Sequence, residues 1–265
     1  MTLKDIQVVS MDIMSIIDEF CQCNNIHYSL GYGALIGAVR HKGCIPWDDD
    51  IDIIITRPEY QKLLKFFNED KRVGRGGVKL YAPELGNCYF PIARICDIKR
   101  TKVHKYYQWT DEFTGVWIDV FIMDGLPEDG GKEIKSIIRQ CYNSCLGKVH
   151  FSRDISLSNN VKMLKRKFLY FSKSRNLHII NYLNEISKCN WDNSSMVCNL
   201  CSPYNKDIHR KDIFNNYIKV PFEDREFSIL AFYDEYLQNI YGNYMQLPSI
   251  EKQVRGHEAN SYMWI

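Results

Sequence analysis

The sequence predicts an α/β fold, a mixed β-sheet flanked by helices, with a mainly helical C-terminal portion. Three observations predict it. Apolar positions three and four apart, Ile6, Val9, Ile13, Ile16, Ile17 and Phe20, open the chain as an amphipathic helix, and helical patterns return after Gly131. Between these regions lie short β-branched and aromatic runs punctuated by glycine and proline, the pattern of strands and turns. No Pro/Gly/Ser-rich linker separates the two regions, so the later helices are expected to pack on the sheet. We divide the chain into a core over 1–130 and a mainly helical portion over 131–265, which could form one continuous domain.

The elements are expected in this order. The first helix spans residues 3 to 24, and Ile26 to Leu30 reads as a strand. Ala34 to Arg40 is helix-like, Ile51 to Ile55 is a buried strand, and Glu59 to Phe67 is a helix begun by Pro58. The glycine-rich run Arg72 to Gly77 reads as a loop. Strands are expected over Val78 to Tyr81, Cys88 to Cys96, Thr101 to Tyr107 and Val116 to Phe121, and Asp124, beside Gly125 and Pro127, reads as a turn residue. Helices follow over Lys132 to Val149, Val161 to Phe171, Leu177 to Cys189 and Ile229 to Tyr241, with 196 to 222 left unassigned.

The stretch Gly31 to Ile55, GYGALIGAVRHKGCIPWDDDIDIII, carries the chemistry. Side chains alternate along a strand and i to i+2 spans about 6.5–7 Å, so a strand through this run projects Asp50 and Asp52 side by side. Two adjacent carboxylates repel unless a cation lies between them, and a hard divalent ion, Mg²⁺ with Mn²⁺ as an alternative, suits oxygen ligands. Asp48 is expected either to hold a second metal or to be a solvated loop acid. Gly31, Gly33 and Gly37 let backbone N–H groups approach a ligand at the start of a helix, a phosphate cradle to which Arg40 and Lys42 add charge. Asp119 sits between Ile118 and Val120 in an apolar run, where a carboxylate is costly unless paired or metal-bound; an edge-strand position facing solvent is the competing reading.

This stretch resembles the LicD family, whose members carry a near-identical run from the glycine turn through IPWDDDID. The segment YGNYMQLP at 241–248, with Lys252 and His257 after it, is similar to the family's closing motif. Ala34 stands where threonine is common in the family, which removes one hydroxyl contact to phosphate. The resemblance implies a nucleotidyltransferase-like fold with Asp50 and Asp52 as the Asp-apolar-Asp pair and Asp119 as the third acid. It further implies transfer of a phospho-substituent, phosphocholine from CDP-choline above all, onto a glycan hydroxyl of a teichoic acid or lipopolysaccharide. Asp50, Asp52 and Asp119 would be catalytic, and with Asp48 would hold the metal; Asp119 would either complete the metal site or accept the hydroxyl proton. Gly31, Gly33, Arg40, Lys42, Trp47, Lys252 and His257 would bind substrate, and Trp47 and Tyr32 would either stack on the donor or pack in the core. CDP-ribitol or CDP-glycerol transfer, a nucleotidyltransferase, and a non-catalytic nucleotide-binding module are the alternatives.

Other classes fit poorly. A net charge of +2 with 25% charged residues gives no reason to expect a nucleic-acid partner. Asp48-x-Asp50-x-Asp52 with Glu59 imitates a calcium loop, yet its sixth position is Ile53 where glycine must turn the chain. Gly31-x-Gly33-x-x-x-Gly37 imitates a dinucleotide fingerprint, which calls for one isolated acid rather than a cluster. The ten cysteines lack a secretion signal and read as free thiols, Cys198 and Cys201 included, in a cytoplasmic protein. Residues 161–175 combine six basic residues with apolar ones and read either as a peripheral contact to an anionic membrane carrying a lipid-linked acceptor or as a solvated helix face.

Overall fold

A computed structural model describes residues 1–104, 109–146, 175–202, 207–255 and 261–265. Helix α1 (Leu3–Cys23) opens with a capping box: the Thr2 hydroxyl accepts from the Asp5 N–H, and the Asp5 carboxylate accepts from the Thr2 N–H at 2.7 Å. Such a cap contributes about 1 kcal/mol. Of the expected apolar face, Ile16 is only half-buried, while Ile6, Val9, Ile13, Ile17 and Phe20 are buried against the sheet. Each of these side chains contributes roughly 1.5–3 kcal/mol by leaving water.

The sheet is mixed, as expected, and is built in the order β1 (Ser29–Gly31), β2 (Asp52–Thr56), β6 (Trp117–Gly125), β4 (Ala93–Asp97) and β3 (Val78–Tyr81). Only β2 and β6 run parallel; the other pairings in this row are antiparallel. Strand β6 has nine residues and outlasts β4, so its end pairs instead with β7 (Met196–Cys198), which pairs in turn with β8 (Ile208–Arg210). Asp124 therefore lies on a buried strand and not in a turn. Its two carboxylate oxygens accept from Arg57 Nε and Nη2 at 2.6 and 2.8 Å, a partner that lets a carboxylate stay inside.

Helices cover the sheet where the pattern places them: α2 (Tyr32–Ile36), which continues into a π-helical turn Gly37–His41, α3 (Arg57–Phe66), α5 (Lys132–Leu146) and α6 (Arg175–Ile186). Other segments also differ from expectation, and the strand expected over Cys88 to Cys96 begins only at Ala93. Residues 71–76 form a short helix, α4 (Lys71–Gly76), because the Asp70 side chain accepts from the Arg72 N–H at one end and Gly77 takes φ 73° at the other. Residues 225–230 form β10 (Arg225–Leu230), paired with β9 (Tyr217–Phe222) across a turn in which Glu223 has φ 55°, so the last helix, α7 (Tyr233–Tyr241), starts four residues later than its apolar spacing suggests. The hairpin packs on β1, where the Leu230 N–H donates to Ser29 Oγ at 3.0 Å. A second two-stranded sheet joins β5 (Thr101–His104) to β11 (Ser261–Trp264).

The helix expected at 161–171 lies outside the described residues. Arg175, the last of the basic run, is 9% exposed, stacks on Tyr89 and pairs with Asp111 at 2.9 Å, so it faces protein. Among the described residues no helix is long and apolar enough to cross a membrane.

Candidate active site

The sheet register sets one row of residues side by side. Gly31 on β1 lies opposite Asp52 on β2, Asp52 opposite Asp119 on β6, and Asp119 opposite Arg94 on β4. Directly opposed residues share a face, and neighbouring strands lie about 4.8 Å apart, so two carboxylates and a guanidinium stand in line with a glycine at the end. Asp119 thus sits on a central strand, 8% exposed, and the edge-strand alternative fails.

The remaining acids reach this row from the turn before β2. Pro46 and Trp47 form the turn, closed by a hydrogen bond from the Asp48 N–H to the Ile45 carbonyl at 3.0 Å. Gln7 Nε2 donates to the carbonyls of both Ile45 and Asp48, tying the turn to α1. The strand begins only at Asp52, so Asp48 to Asp50 do not alternate: all three present ligand oxygens within 4.8 Å of one another. Burial first, and then the charges of Asp50, Asp119 and Asp48, push the Asp52 carboxyl well above its ordinary range, while Arg94 pulls the other way. An all-oxygen donor set this crowded fits a hard divalent cation. Ligand oxygens on one octahedral ion with bonds of about 2.1 Å lie at most about 4.2 Å apart, so small side-chain movements within the 4.8 Å limit of this cluster suffice to seat one.

Two arginines balance part of this charge. Arg94 Nε donates to Asp119 Oδ1 at 2.6 Å and Trp117 Nε1 to Asp119 Oδ2 at 3.2 Å. Arg255 Nε donates to Asp49 Oδ2 at 2.5 Å, and its guanidinium lies over the Tyr262 ring. Sequence reasoning missed Asp49, Arg94, Arg255 and Gln7. Arg94 carried a signal, a charge inside the run PIARIC, and Gln7 carried another, a polar residue on the buried face of α1.

The glycines act as expected of close approaches. A Cβ at Gly33 would lie 2.7 Å from Asp48 Oδ2, and one at Gly31 would lie 3.0 Å from Ile54 Cγ1. Gly31 also precedes α2 with an extended backbone, its residue paired to Asp52. Between them Tyr32 has φ 43°, a conformation that costs about 1–3 kcal/mol for a bulky residue. It is held there by its hydroxyl, which donates to Asp207 Oδ2 and accepts from Asn199 Nδ2, both at 2.5 Å. Its ring is buried edge-on to Phe121, so of its two readings the structure bears out core packing.

A second feature lies beside the acids. Arg40, Trp47 and Lys252 line one cleft of about 480 Å³ with Tyr241, Asn243 and Leu247. Arg40 Nη1 donates to the Tyr244 carbonyl at 2.6 Å, joining the π-helical turn to the 241–248 segment, and Trp47 meets the His41 ring edge-on. No carboxylate lines the cleft, and neither cation is paired with one among the described residues. Lys42 is not in it; it is exposed at the end of the turn with φ 60°, its carbonyl accepting from the Glu223 N–H. His257 lies outside the described residues. Glu59, the twelfth position of the imitated calcium loop, accepts from the His27 N–H and from Lys62, which removes that reading. Cys198 and Cys201 are free, with both thiols pushed up by burial, and no cysteine belongs to a ligand cluster among the described residues.

The similarity to known proteins falls on these same parts. Over 99% of this chain and 98% of its own length, the lipopolysaccharide cholinephosphotransferase LicD of Haemophilus influenzae is 29% identical. An uncharacterised protein of Rickettsia prowazekii is 39% identical over 44% of this chain and 39% of its own length, and one of Rickettsia typhi is 42% identical over 22% and 19%. Residues 25–123, from Asn25 between α1 and β1 to Met123 on β6, match the nucleotidyltransferase domain described as LicD/FKTN/FKRP. That span includes Gly31, Gly33, the aspartates 48 to 52 and Asp119, so the row of acids and the glycine turn lie in the part of this chain that is similar to that domain.

Proposed function

We propose that this protein is a Mg²⁺-dependent transferase that moves phosphocholine from CDP-choline to a hydroxyl of a cell-surface glycan. The register that sets Asp52 beside Asp119, with Asp48 against Gly33, is the observation that carries the chemistry. The full-length similarity to a lipopolysaccharide cholinephosphotransferase supports phosphocholine as the group and a glycan as the acceptor. The CDP donor rests on the resemblance of the glycine and aspartate run.

In the reaction the acceptor oxygen attacks the phosphocholine phosphorus, the P–O bond to CMP breaks, and CMP leaves with the bridging oxygen. Asp48, Asp50, Asp52 and Asp119 would hold Mg²⁺, or Mn²⁺ in its place, which when bound neutralises the charge on the donor phosphates. Both Asp119 oxygens already accept hydrogen bonds, which favours its holding the metal over accepting the proton. Phosphoryl transfer through a loose transition state asks little of a base, and the hydroxyl proton leaves late, to a carboxylate of the cluster. Gly31 and Gly33 let backbone approach the diphosphate, Arg40 and Lys252 supply charge to phosphate or glycan oxygens, and Trp47 offers a ring face to the base. A nucleotide donor and a lipid-linked acceptor would meet at the cytoplasmic face of a membrane.

The test is CMP release from CDP-choline with a lipopolysaccharide or teichoic acid acceptor, run beside CDP-ribitol and CDP-glycerol. Metal-dependent release from CDP-choline alone is expected. Release from another donor would reassign the group, and release from none would return the protein to a non-catalytic binding role.

A further inference from the structure

Arg94 is not part of the acidic run, the glycine turn or the cleft, yet it is buried and bonded to Asp119 in the row that includes Asp52. It is 3% exposed on β4, its guanidinium carbon lies 4.8, 4.7 and 5.0 Å from the ring centroids of Phe90, Trp109 and Trp117, and its Nε donates to Asp119 Oδ1. Three rings around a planar cation leave it few orientations. One ring, Trp117, also donates to the second oxygen of Asp119, so the box that holds Arg94 and the bonds that hold Asp119 are one assembly. Across β6 from Arg94 and Asp119 stands Asp52.

We propose that Arg94 is a positioning residue for the phosphotransfer: boxed by Phe90, Trp109 and Trp117, it pins the Asp119 carboxylate in one orientation beside Asp52. This rests on the transferase reading and adds a residue to it. Two properties follow from the geometry. The pin needs a guanidinium, because Lys has no Nε–H to reach Oδ1 from within the box while its remaining bulk meets the rings. The pin also acts only through Asp119, so it contributes nothing once that carboxylate is gone.

The experiment loads Mn²⁺ into the native full-length chain and into R94K, R94M, D119N and R94M/D119N, and records the Mn²⁺ electron paramagnetic resonance spectrum, the number of ions bound and CMP release. For R94K and R94M we expect the ion count of the native protein, a spectrum displaced toward that of D119N, and turnover lowered at least tenfold with the donor KM unchanged. R94M/D119N should be no slower than D119N. R94K is the variant to read if R94M does not fold, since it keeps the buried charge. The proposal is overturned if R94K has the native spectrum and turnover, which would make Arg94 a counter-charge only, or if the double variant is at least tenfold slower than D119N. A native chain that binds no Mn²⁺ would instead overturn the metal reading beneath it, a result distinct from either.

Discussion

Replacing Gly33 by alanine separates the function of the acidic turn from its stability. The added Cβ would stand 2.7 Å from Asp48 Oδ2, and an ordinary carbon–oxygen contact is near 3.2–3.4 Å, so the carboxylate must retreat by about 0.5 Å or more. Nothing else lies closer than 3.9 Å to that Cβ, and the displaced atom ends a side chain, so the fold gives way cheaply. Gly33 sits within α2, where alanine is favoured over glycine by about 1 kcal/mol, enough to offset the contact. Melting temperature should therefore stay within about 4 °C of the native value. Catalysis depends on the position of Asp48, and a misplacement of about 1 Å costs on the order of 10²-fold, so kcat/KM in the CMP-release assay should fall about 10- to 100-fold. A G33A protein with native turnover would refute the placement of Asp48 in the working site. A large loss of melting temperature would refute the claim that this glycine is kept for the carboxylate.

Further changes have outcomes set by the same geometry. In the metal-free protein the folded state holds the Asp52 proton more tightly than the unfolded chain does, so stability should fall as pH rises from the ordinary value of 3.8 through the raised folded one. D52N removes that fall and should melt above the native protein at pH 8 without metal, and a melt unchanged by the substitution would count against the crowding of carboxylates. R255M leaves the fully buried Asp49 carboxylate without its partly exposed arginine and should cost about 1–3 kcal/mol, partly recovered by adding Mg²⁺; differential scanning calorimetry with and without the ion reads both. W47L should raise the donor Kd about tenfold by calorimetric titration if the ring lies on the base, and an unchanged Kd would assign Trp47 to packing alone.

How far the sequence could be read depended on whether a residue's partner lay nearby in the chain. Asp119 was legible because a carboxylate inside an apolar run demands a reason, Asp50 and Asp52 because several acids lie directly before an apolar strand, and Gly31 and Gly33 because glycines gather where a helix begins in the same short stretch. Arg94 was not, since its partner is twenty-five residues away and meets it only through the register of β4 and β6. Asp49 was lost to an argument from strand alternation that fails before Asp52, where a turn bunches three carboxylates together. Helix α4 hid behind its glycines although Asp70 supplied the cap, and β10 hid because Leu230 falls in helical phase with Tyr233, Leu237 and Tyr241. The cleft that joins Arg40 and Trp47 to Lys252 needs some two hundred residues of chain to fold back, a closure no local pattern encodes.

The most direct test is calorimetric titration of CDP-choline into the native protein and into the double variant D50N/D52N, each with and without Mg²⁺. The account predicts binding to the native protein that strengthens with Mg²⁺ and a double variant that stays folded but loses the metal-dependent part. Binding of equal strength in all four titrations would contradict it, because the aspartates around β2 would then have no part in holding the donor.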